Sequence, residues 1–128
     1  MPLDIFQATT TEMFILLFLS KEDAHGYQLA QRLTEHSGGL LCVKATSLYP
    51  LLYKLEERGY ISGRTSVVER KSGLRPGKSA RVRIVYHIEK AGFERLKILR
   101  EEHEVLVKGC ATVFDSIETE DDANEKSN

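Results

Sequence analysis

The sequence predicts a mainly α-helical protein with one small β-hairpin. Apolar residues recur with helical spacing before residue 60, alternate with polar residues between residues 61 and 88, and return to helical spacing from residue 90. A chain of 128 residues is long enough for one ordinary domain. Its composition, 41% hydrophobic and 29% charged, is typical of a soluble globular protein.

The first predicted helix runs from about Thr9 to Ser20. Thr9 and Glu12 have the spacing of a capping box, in which each side chain bonds the other residue's backbone amide. The run Met13–Leu19 is apolar on nearly every side of the helix, which indicates burial on more than one face. We therefore expect either a central core helix or a helix shared with a partner subunit.

The second and third predicted helices are short. The second begins near His25 and ends at the sequence Ser37-Gly38-Gly39. The third begins near Thr46 or Ser47, and Pro50 fits its first turn, where a missing amide donor costs little. Its apolar stripe consists of four leucines: Leu48, Leu51, Leu52 and Leu55.

A period of two residues predicts the β-hairpin. One strand extends from Ile61 to Glu69, a second ends at Ile88, and the Gly, Pro and Ser residues of 70–79 predict a loop between them. Residues 61–90 carry eight Lys and Arg against two Asp and Glu, although the whole chain has a net charge of −1. The hairpin is therefore a basic segment in an otherwise acidic protein.

A fourth helix, starting near Lys90, is predicted to mediate self-association. Its residues at alternating steps of four and three form a heptad seam, which one short helical domain cannot cover by itself. The seam consists of Gly92, Leu96, Leu99, His103, Leu106, Cys110, Val113 and Ile117. We expect one domain of three helices and the hairpin over residues 1–88, a dimerisation helix over 89–117, and a disordered acidic tail over 118–128.

Three helices followed by a hairpin is the order of a winged helix-turn-helix, in which the third helix enters the major groove of DNA. The hairpin is the wing, and its cations suit phosphate contacts. A basic hairpin is also often an ordinary solvated surface. The candidate DNA-binding residues of the third helix are Lys44, Thr46, Ser47, Tyr49, Tyr53 and Lys54. Those of the wing are Arg64, Arg70, Lys71, Arg75, Lys78, Arg81 and Arg83.

Other classes of protein fit poorly. The two cysteines, Cys42 and Cys110, have neither disulfide nor zinc-site spacing, so we expect no metal and no cofactor. The four histidines lie on different elements without a nucleophile or phosphate loop, which argues against an enzyme. A secretory leader and a membrane span are not indicated, so a cytoplasmic location is expected.

Several motifs resemble those of the PadR family, the phenolic-acid-decarboxylase-type repressors. The most specific pair is His25-Gly26-Tyr27 with Ser47-Leu48-Tyr49-Pro50-Leu51-Leu52, supported by Gly59-Tyr60-Ile61 and Tyr86-His87-Ile88. The resemblance implies a dimeric winged-helix repressor of the short subgroup, whose last helix packs on the partner's first and last helices. The implied dimer interface consists of Phe14, Phe18, Leu96, Leu99, His103, Leu106, Cys110 and Val113.

The resemblance also implies a small aromatic or amphiphilic effector, bound between the two subunits. Phe14, Phe18, Phe93 and Phe114 are the candidate lining residues, and ordinary core packing is the alternative interpretation. In the seam, His103 and Cys110 are either polar residues that set the register or sensors of pH, metal or oxidant.

We therefore expect a ligand-responsive repressor that binds a near-palindromic double-stranded DNA operator as a homodimer. The alternative is a winged helix that contacts an acidic protein partner, or the chain's own segment Glu118–Asp122. Two departures from the family pattern stand out. Glu89 replaces a usual Thr cap before the last helix, and the loop of residues 70–79 is unusually long and basic.

Overall fold

The computed structural model describes residues 3–4, 8–69 and 80–126. Four helices and five strands lie in this part of the chain, which confirms the mainly helical fold class with its small β-hairpin. The helices are α1 (Ala8–Leu19), α2 (Gly26–His36), α3 (Ala45–Glu57) and α4 (Lys90–Lys126). The strands are β1 (Leu3–Asp4), β2 (Ala24–His25), β3 (Leu41–Cys42), β4 (Ile61–Glu69) and β5 (Ala80–Ile88). The chain divides into two compact units, one ending at Leu96 and the other beginning at Lys97.

The core of the first unit lies between α1, α2, α3 and the β-sheet. Three of the four predicted α3 leucines are fully buried, whereas Leu51 is half-buried. The apolar residues of α1 are not equally buried. Ile15, Leu16 and Leu19 are buried, whereas Phe14 and Phe18 are only half-buried. The largest fully buried side chains are Leu16, Leu29, Leu48, Leu52, Leu55 and Ile61.

The wing is an antiparallel sheet of three strands in the order β2-β5-β4. The predicted hairpin is confirmed, with a register that runs from Ile61 opposite Ile88 to Glu69 opposite Ala80. Strand β2, which the sequence did not predict, pairs Ala24 with Tyr86 at the edge of the sheet. Two residues are too few to show a period of two, so the pattern gave no sign of β2 or of the parallel pair β1 and β3.

The predicted capping box of α1 is wrong. The helix begins at Ala8, so Thr9 lies inside it rather than at its N-cap. Glu12 is buried, and its Oε1 accepts a hydrogen bond from Nε of Arg95 at 2.9 Å instead of bonding the backbone of Thr9. A long-range cation therefore determines the role of this carboxylate.

A different capping box opens α2. The amide of Gln28 donates to Nδ1 of His25 at 3.3 Å, and the amide of His25 donates to Oε1 of Gln28 at 3.1 Å. These reciprocal bonds satisfy amides that the first helical turn leaves without partners. The predicted start of α2 near His25 is confirmed.

Helix α3 begins slightly earlier than predicted, with Lys44 as its N-cap residue. Pro50 is consequently the sixth helical residue and lies beyond the first turn. The carbonyl that a backbone amide at this position would bond belongs to Thr46, which is exposed and open to water.

Helix α4 begins at Lys90, as predicted, and continues to Lys126. Residues 118–126 are therefore helical in the structure, in contrast to the predicted disorder after residue 117. Glu, Ala and Lys have good intrinsic helix propensity, so an acidic segment extends a helix without burying apolar surface. At about 1.5 Å per residue, α4 is on the order of 55 Å long.

Candidate nucleic-acid interface

The exposed face of α3 carries Thr46, Tyr49 and Tyr53. Their spacing of three and four residues places them on one side of the helix, opposite the buried leucines. Tyr49 is 49% exposed and Tyr53 is 70% exposed. The face presents three hydroxyl groups, which can donate to and accept from base edges and phosphates.

Gly26 supports the ring of Tyr49 from α2. A Cβ atom at Gly26 would lie 3.1 Å from Cε1 of Tyr49 and 3.4 Å from Cδ1 of Leu52. A glycine lets the start of α2 approach α3 this closely without displacing the tyrosine ring. The glycine of the His-Gly-Tyr motif thereby positions a tyrosine of the Ser-Leu-Tyr-Pro motif.

Two other predicted α3 residues, Ser47 and Lys54, lie roughly 120° around the helix from the tyrosine face. Both line a cavity of about 290 Å³, together with Ala8, Thr11, Val43, Pro50 and Leu51. The predicted α3 residues therefore form two adjoining surfaces instead of one. Lys44 is exposed at the N-cap and makes no capping hydrogen bond through its side chain.

Helix α3 is tied to the wing at its C-terminal end. Oε1 of Glu56 accepts a hydrogen bond from the amide of Gly63 on β4 at 3.2 Å. A Cβ at Gly63 would lie 2.8 Å from Ile84 and 3.3 Å from Oε1 of Glu56, so the glycine permits this contact. Burial, followed by the nearby charge of Glu56 and the hydroxyl of Tyr49, raises the pKa of Tyr86. These contacts set the orientation of the wing relative to α3.

The outer face of the sheet presents two predicted wing cations, Arg64 and Arg83. Nη2 of Arg64 lies 3.3 Å from Oδ2 of Asp23, and its side chain is 70% exposed. Nη1 of Arg83 lies 3.1 Å from Nε2 of His25. Both cations thus have partners on or next to β2. The remaining predicted wing cations, Arg70, Lys71, Arg75, Lys78 and the side chain of Arg81, lie outside the described part of the structure.

Asp23 and His25 were not among the site residues predicted from the sequence. The spacing of His25 and Gln28 could have revealed the cap, because Gln is a usual third helical residue of a capping box. The lateral contacts to the arginines have no local pattern. Burial lowers the pKa of His25 below its usual 6.5, and the positive charges of Arg83 and Arg32 lower it further.

The candidate dimer residues differ in their exposure. Phe14, Phe18 and Leu96 are half-buried, whereas Leu99 is only 2% exposed and leaves little surface for a partner. The later positions of the seam are exposed, namely His103, Leu106, Cys110 and Val113. In the single chain, Leu106 and Val113 are 63% and 64% exposed, so α4 presents large apolar side chains to the solvent.

The four phenylalanines expected to line an effector site do not line the cavity beside α3. Phe14 and Phe18 are half-buried on α1, and the ring of Phe18 lies 5.6 Å from that of His36. Phe93 and Phe114 are 49% and 66% exposed on α4.

Neither a metal-binding cluster nor a membrane-spanning helix is found among the described residues. No group of three or more His, Cys, Asp or Glu side chains in residues 3–4, 8–69 and 80–126 is placed to hold a metal ion. None of the helices in this part of the chain is both long and apolar enough to cross a membrane.

Comparison with solved structures identifies relatives of the fold. A PadR family transcriptional regulator from Eggerthella lenta is 26% identical, with a TM-score of 0.65 over 82% of this chain and 81% of that chain. A PadR-like transcription factor from Bacteroides fragilis is 26% identical, with a TM-score of 0.60 over 84% and 92% of the two chains. A protein from Streptococcus mutans is 29% identical, with a TM-score of 0.61 over 83% and 90%. No curated protein sequence matches the chain significantly.

A family model provides the decisive match. The model of the transcriptional regulator PadR-like family matches residues 15–98, from the middle of α1 to the first part of α4. This range contains the tyrosine face of α3 and all three strands of the wing sheet. The chain therefore belongs to the PadR-like family, whose members are DNA-binding transcriptional regulators and not enzymes.

Proposed function

We propose that this protein is a ligand-responsive repressor that binds a near-palindromic operator as a homodimer. The observation that carries the proposal is the exposed face of Thr46, Tyr49 and Tyr53, next to a wing that presents Arg64 and Arg83. Helix α3 would enter the major groove while the wing follows the flanking backbone. The helix supplies sequence preference, and the arginines supply affinity that depends little on sequence.

Dimerisation is supported by the apolar surface of α4. Leu106, Val113, Phe114 and Ile117 are each more than half exposed, and burying such side chains contributes about 25 cal/mol per Å². An isologous dimer carries two copies of α3 related by a two-fold axis, so it suits a near-palindromic DNA site.

A small ligand, the effector, is proposed to regulate DNA binding. Its support is the family and the exposed aromatic rings of Phe93 and Phe114 on the same helix as the proposed dimer seam. A small aromatic or amphiphilic compound bound between the two subunits would change the spacing of the two α3 helices. Such a change would weaken binding to an operator with fixed half-site spacing.

Fluorescence anisotropy on the DNA upstream of the protein's own coding region, from 50 to 300 mM salt, tests the DNA-binding part. Arg64→Gln with Arg83→Gln should weaken binding to operator and scrambled DNA by the same factor and flatten the salt dependence. Tyr49→Phe should weaken operator binding alone. Lys97→Gln, which removes an exposed cation from α4, is the control. A neutral arginine pair would contradict the assignment of the wing.

Sedimentation equilibrium of the same protein tests the dimer. Leu106→Glu with Val113→Glu should convert the dimer to a monomer, because two charges would enter an apolar seam. Lys108→Glu is the matched control on the same helix, at a position outside the seam. A dimer that persists in the double variant would place the interface elsewhere. A dimer without salt-sensitive DNA binding would favour an acidic protein partner.

A further inference from the structure

Strand β2 and the residue before it place two side chains, His25 and Asp23, on the outer face of the wing sheet, next to its arginines. His25 is opposite Val85, and side chains alternate along each strand, so His25 shares a face with Arg83 and His87 on β5. Asp23 lies two residues before His25 and contacts this same face through His87. The core face of β2 is instead occupied by Ala24, which is 1% exposed.

Asp23 holds two groups at once. Its Oδ1 lies 2.7 Å from Nδ1 of His87, and its Oδ2 lies 3.3 Å from Nη2 of Arg64. Because the His87 contact orients the carboxylate, the second oxygen stays directed at the guanidinium. A carboxylate placed in this way presents to an arginine the same kind of oxygen acceptors as a phosphate does.

His25 faces a conflict between two hydrogen bonds. Its Nδ1 accepts from the amide of Gln28, whereas its Nε2 faces Nη1 of Arg83. A guanidinium has only donors, and a neutral imidazole has a single acceptor nitrogen. The ring can therefore cap α2 or accept from Arg83, and each bond excludes the other. When Arg83 leaves, the ring can carry its proton on Nε2 and keep the cap.

We propose that Asp23 and His25 are internal competitors of DNA phosphates for Arg64 and Arg83. In the free protein Asp23 holds Arg64, and His25 holds Arg83 in the tautomer whose Nε2 is the acceptor. On binding, the phosphates displace both partners from the arginines. This inference rests on the proposed function, because it assumes that the wing contacts DNA. It assigns to β2 a restraining role that limits affinity for any sequence.

The expected size of the restraint is modest. The Asp23–Arg64 pair is exposed at 30% and 70%, and exposed pairs of this kind are weak. Removing the competitor should raise affinity by about two- to fivefold. It should also steepen the salt dependence, because Arg64 would meet the phosphate without first leaving a carboxylate.

The test measures affinity for scrambled DNA at several salt concentrations. We expect Asp23→Asn to bind about two- to fivefold more tightly than the wild type, and this gain should vanish in an Arg64→Gln background. Glu22→Gln is the matched control, because it removes an equal charge at the neighbouring position, where the partner is Arg32 rather than a wing residue. A gain of equal size in the control, or one that survives Arg64→Gln, would show that the loss of any negative charge has this effect. It would contradict the proposal that Asp23 competes for Arg64.

His25→Ser tests whether His25 competes with DNA phosphates for Arg83. Serine keeps an N-cap with Gln28 at the third helical position but is too short to reach Arg83. Tighter binding that depends on Arg83 would support the proposal. Weaker binding by Asp23→Asn and His25→Ser would overturn it and show that β2 positions the arginines for DNA. If the wild type itself showed no salt-sensitive binding, the proposed DNA-binding function would be wrong, and this inference would be wrong with it.

Discussion

The ring of Tyr49 packs directly against the backbone of Gly26, so that a Cβ on this glycine would lie 3.1 Å from Cε1 of the tyrosine. The residues belong to two sequence motifs separated by most of α2, a turn and the short strand β3. Their contact joins the start of α2 to the exposed face of α3. A backbone feature of one helix thereby controls the position of a side chain proposed to read DNA.

Gly26→Ala should change DNA binding more than stability. The added methyl group pushes the Tyr49 ring by a few tenths of an ångström, and this ring is half exposed and free to move outward. We expect the free energy of unfolding to change by less than about 1 kcal/mol and operator affinity to fall. Anisotropy with the Tyr49→Ala background as control checks the mechanism. An equal loss of affinity in that background would show that the ring is not responsible.

Arg95→Met should destabilise the protein by about 2–4 kcal/mol, less than the full effect for a completely buried pair. The substitution leaves the carboxylate of Glu12, whose side chain is only 7% exposed, without the guanidinium 2.9 Å away. Urea denaturation provides the measurement. The added substitution Glu12→Leu should restore much of the loss by removing the unpaired charge. The exposed pair Arg32–Glu22 is the comparison, and Glu22→Gln should cost less than about 1 kcal/mol.

Gly92→Ala should be strongly destabilising, although alanine is the better helix former. A Cβ at Gly92 would lie 2.2 Å from the carbonyl oxygen of Tyr60 and 2.7 Å from Cγ1 of Ile88, so backbone must move. We expect a loss of about 1–3 kcal/mol or more in the free energy of unfolding. Gly109→Ala on the same helix has nothing within 4 Å of its Cβ and should stabilise by up to about 1 kcal/mol. Thermal unfolding of both variants separates the steric effect from helix propensity.

The stability of the protein should depend on His25 at mildly acidic pH. Burial and two nearby arginines lower the pKa of His25 in the folded protein, whereas the unfolded chain has the ordinary value near 6.5. The unfolded state therefore binds the proton more tightly, and the contribution of His25 is lost as the pH falls below 6.5. Urea midpoints from pH 5 to pH 8 should decline less steeply towards acid in His25→Ser. Parallel pH profiles would contradict this linkage.

The helices and the wing were predictable because their signals are local and repeated. The four leucines of α3 and the alternation on β5 extend over enough residues to define a period, and both elements were found as predicted. The ends of helices were less predictable. Glu12 lost its expected capping role to Arg95, a residue 83 positions away in the chain. No local pattern contains information about such a partner.

The candidate site was predicted as one set of residues, and the structure divides it. Tyr49 and Tyr53 face outward, while Ser47 and Lys54 turn towards a cavity, since the two pairs differ by roughly 130° around α3. Periodicity identified the buried stripe of the helix but not the surroundings of its remaining faces. Those surroundings come from α1 and the segment before α3.

The sequence by itself determined the order of the four helices and the two hairpin strands, the basic character of the wing and the apolar seam of α4, because each depends on the spacing of residues along the chain. Only the tertiary structure decided the partners of individual charges. Strand β2 brings Asp23 next to Arg64 and His25 next to Arg83, contacts that span 41 and 58 positions of the chain. Pairings over such distances follow from the packing of the sheet, which fixes where each side chain meets another.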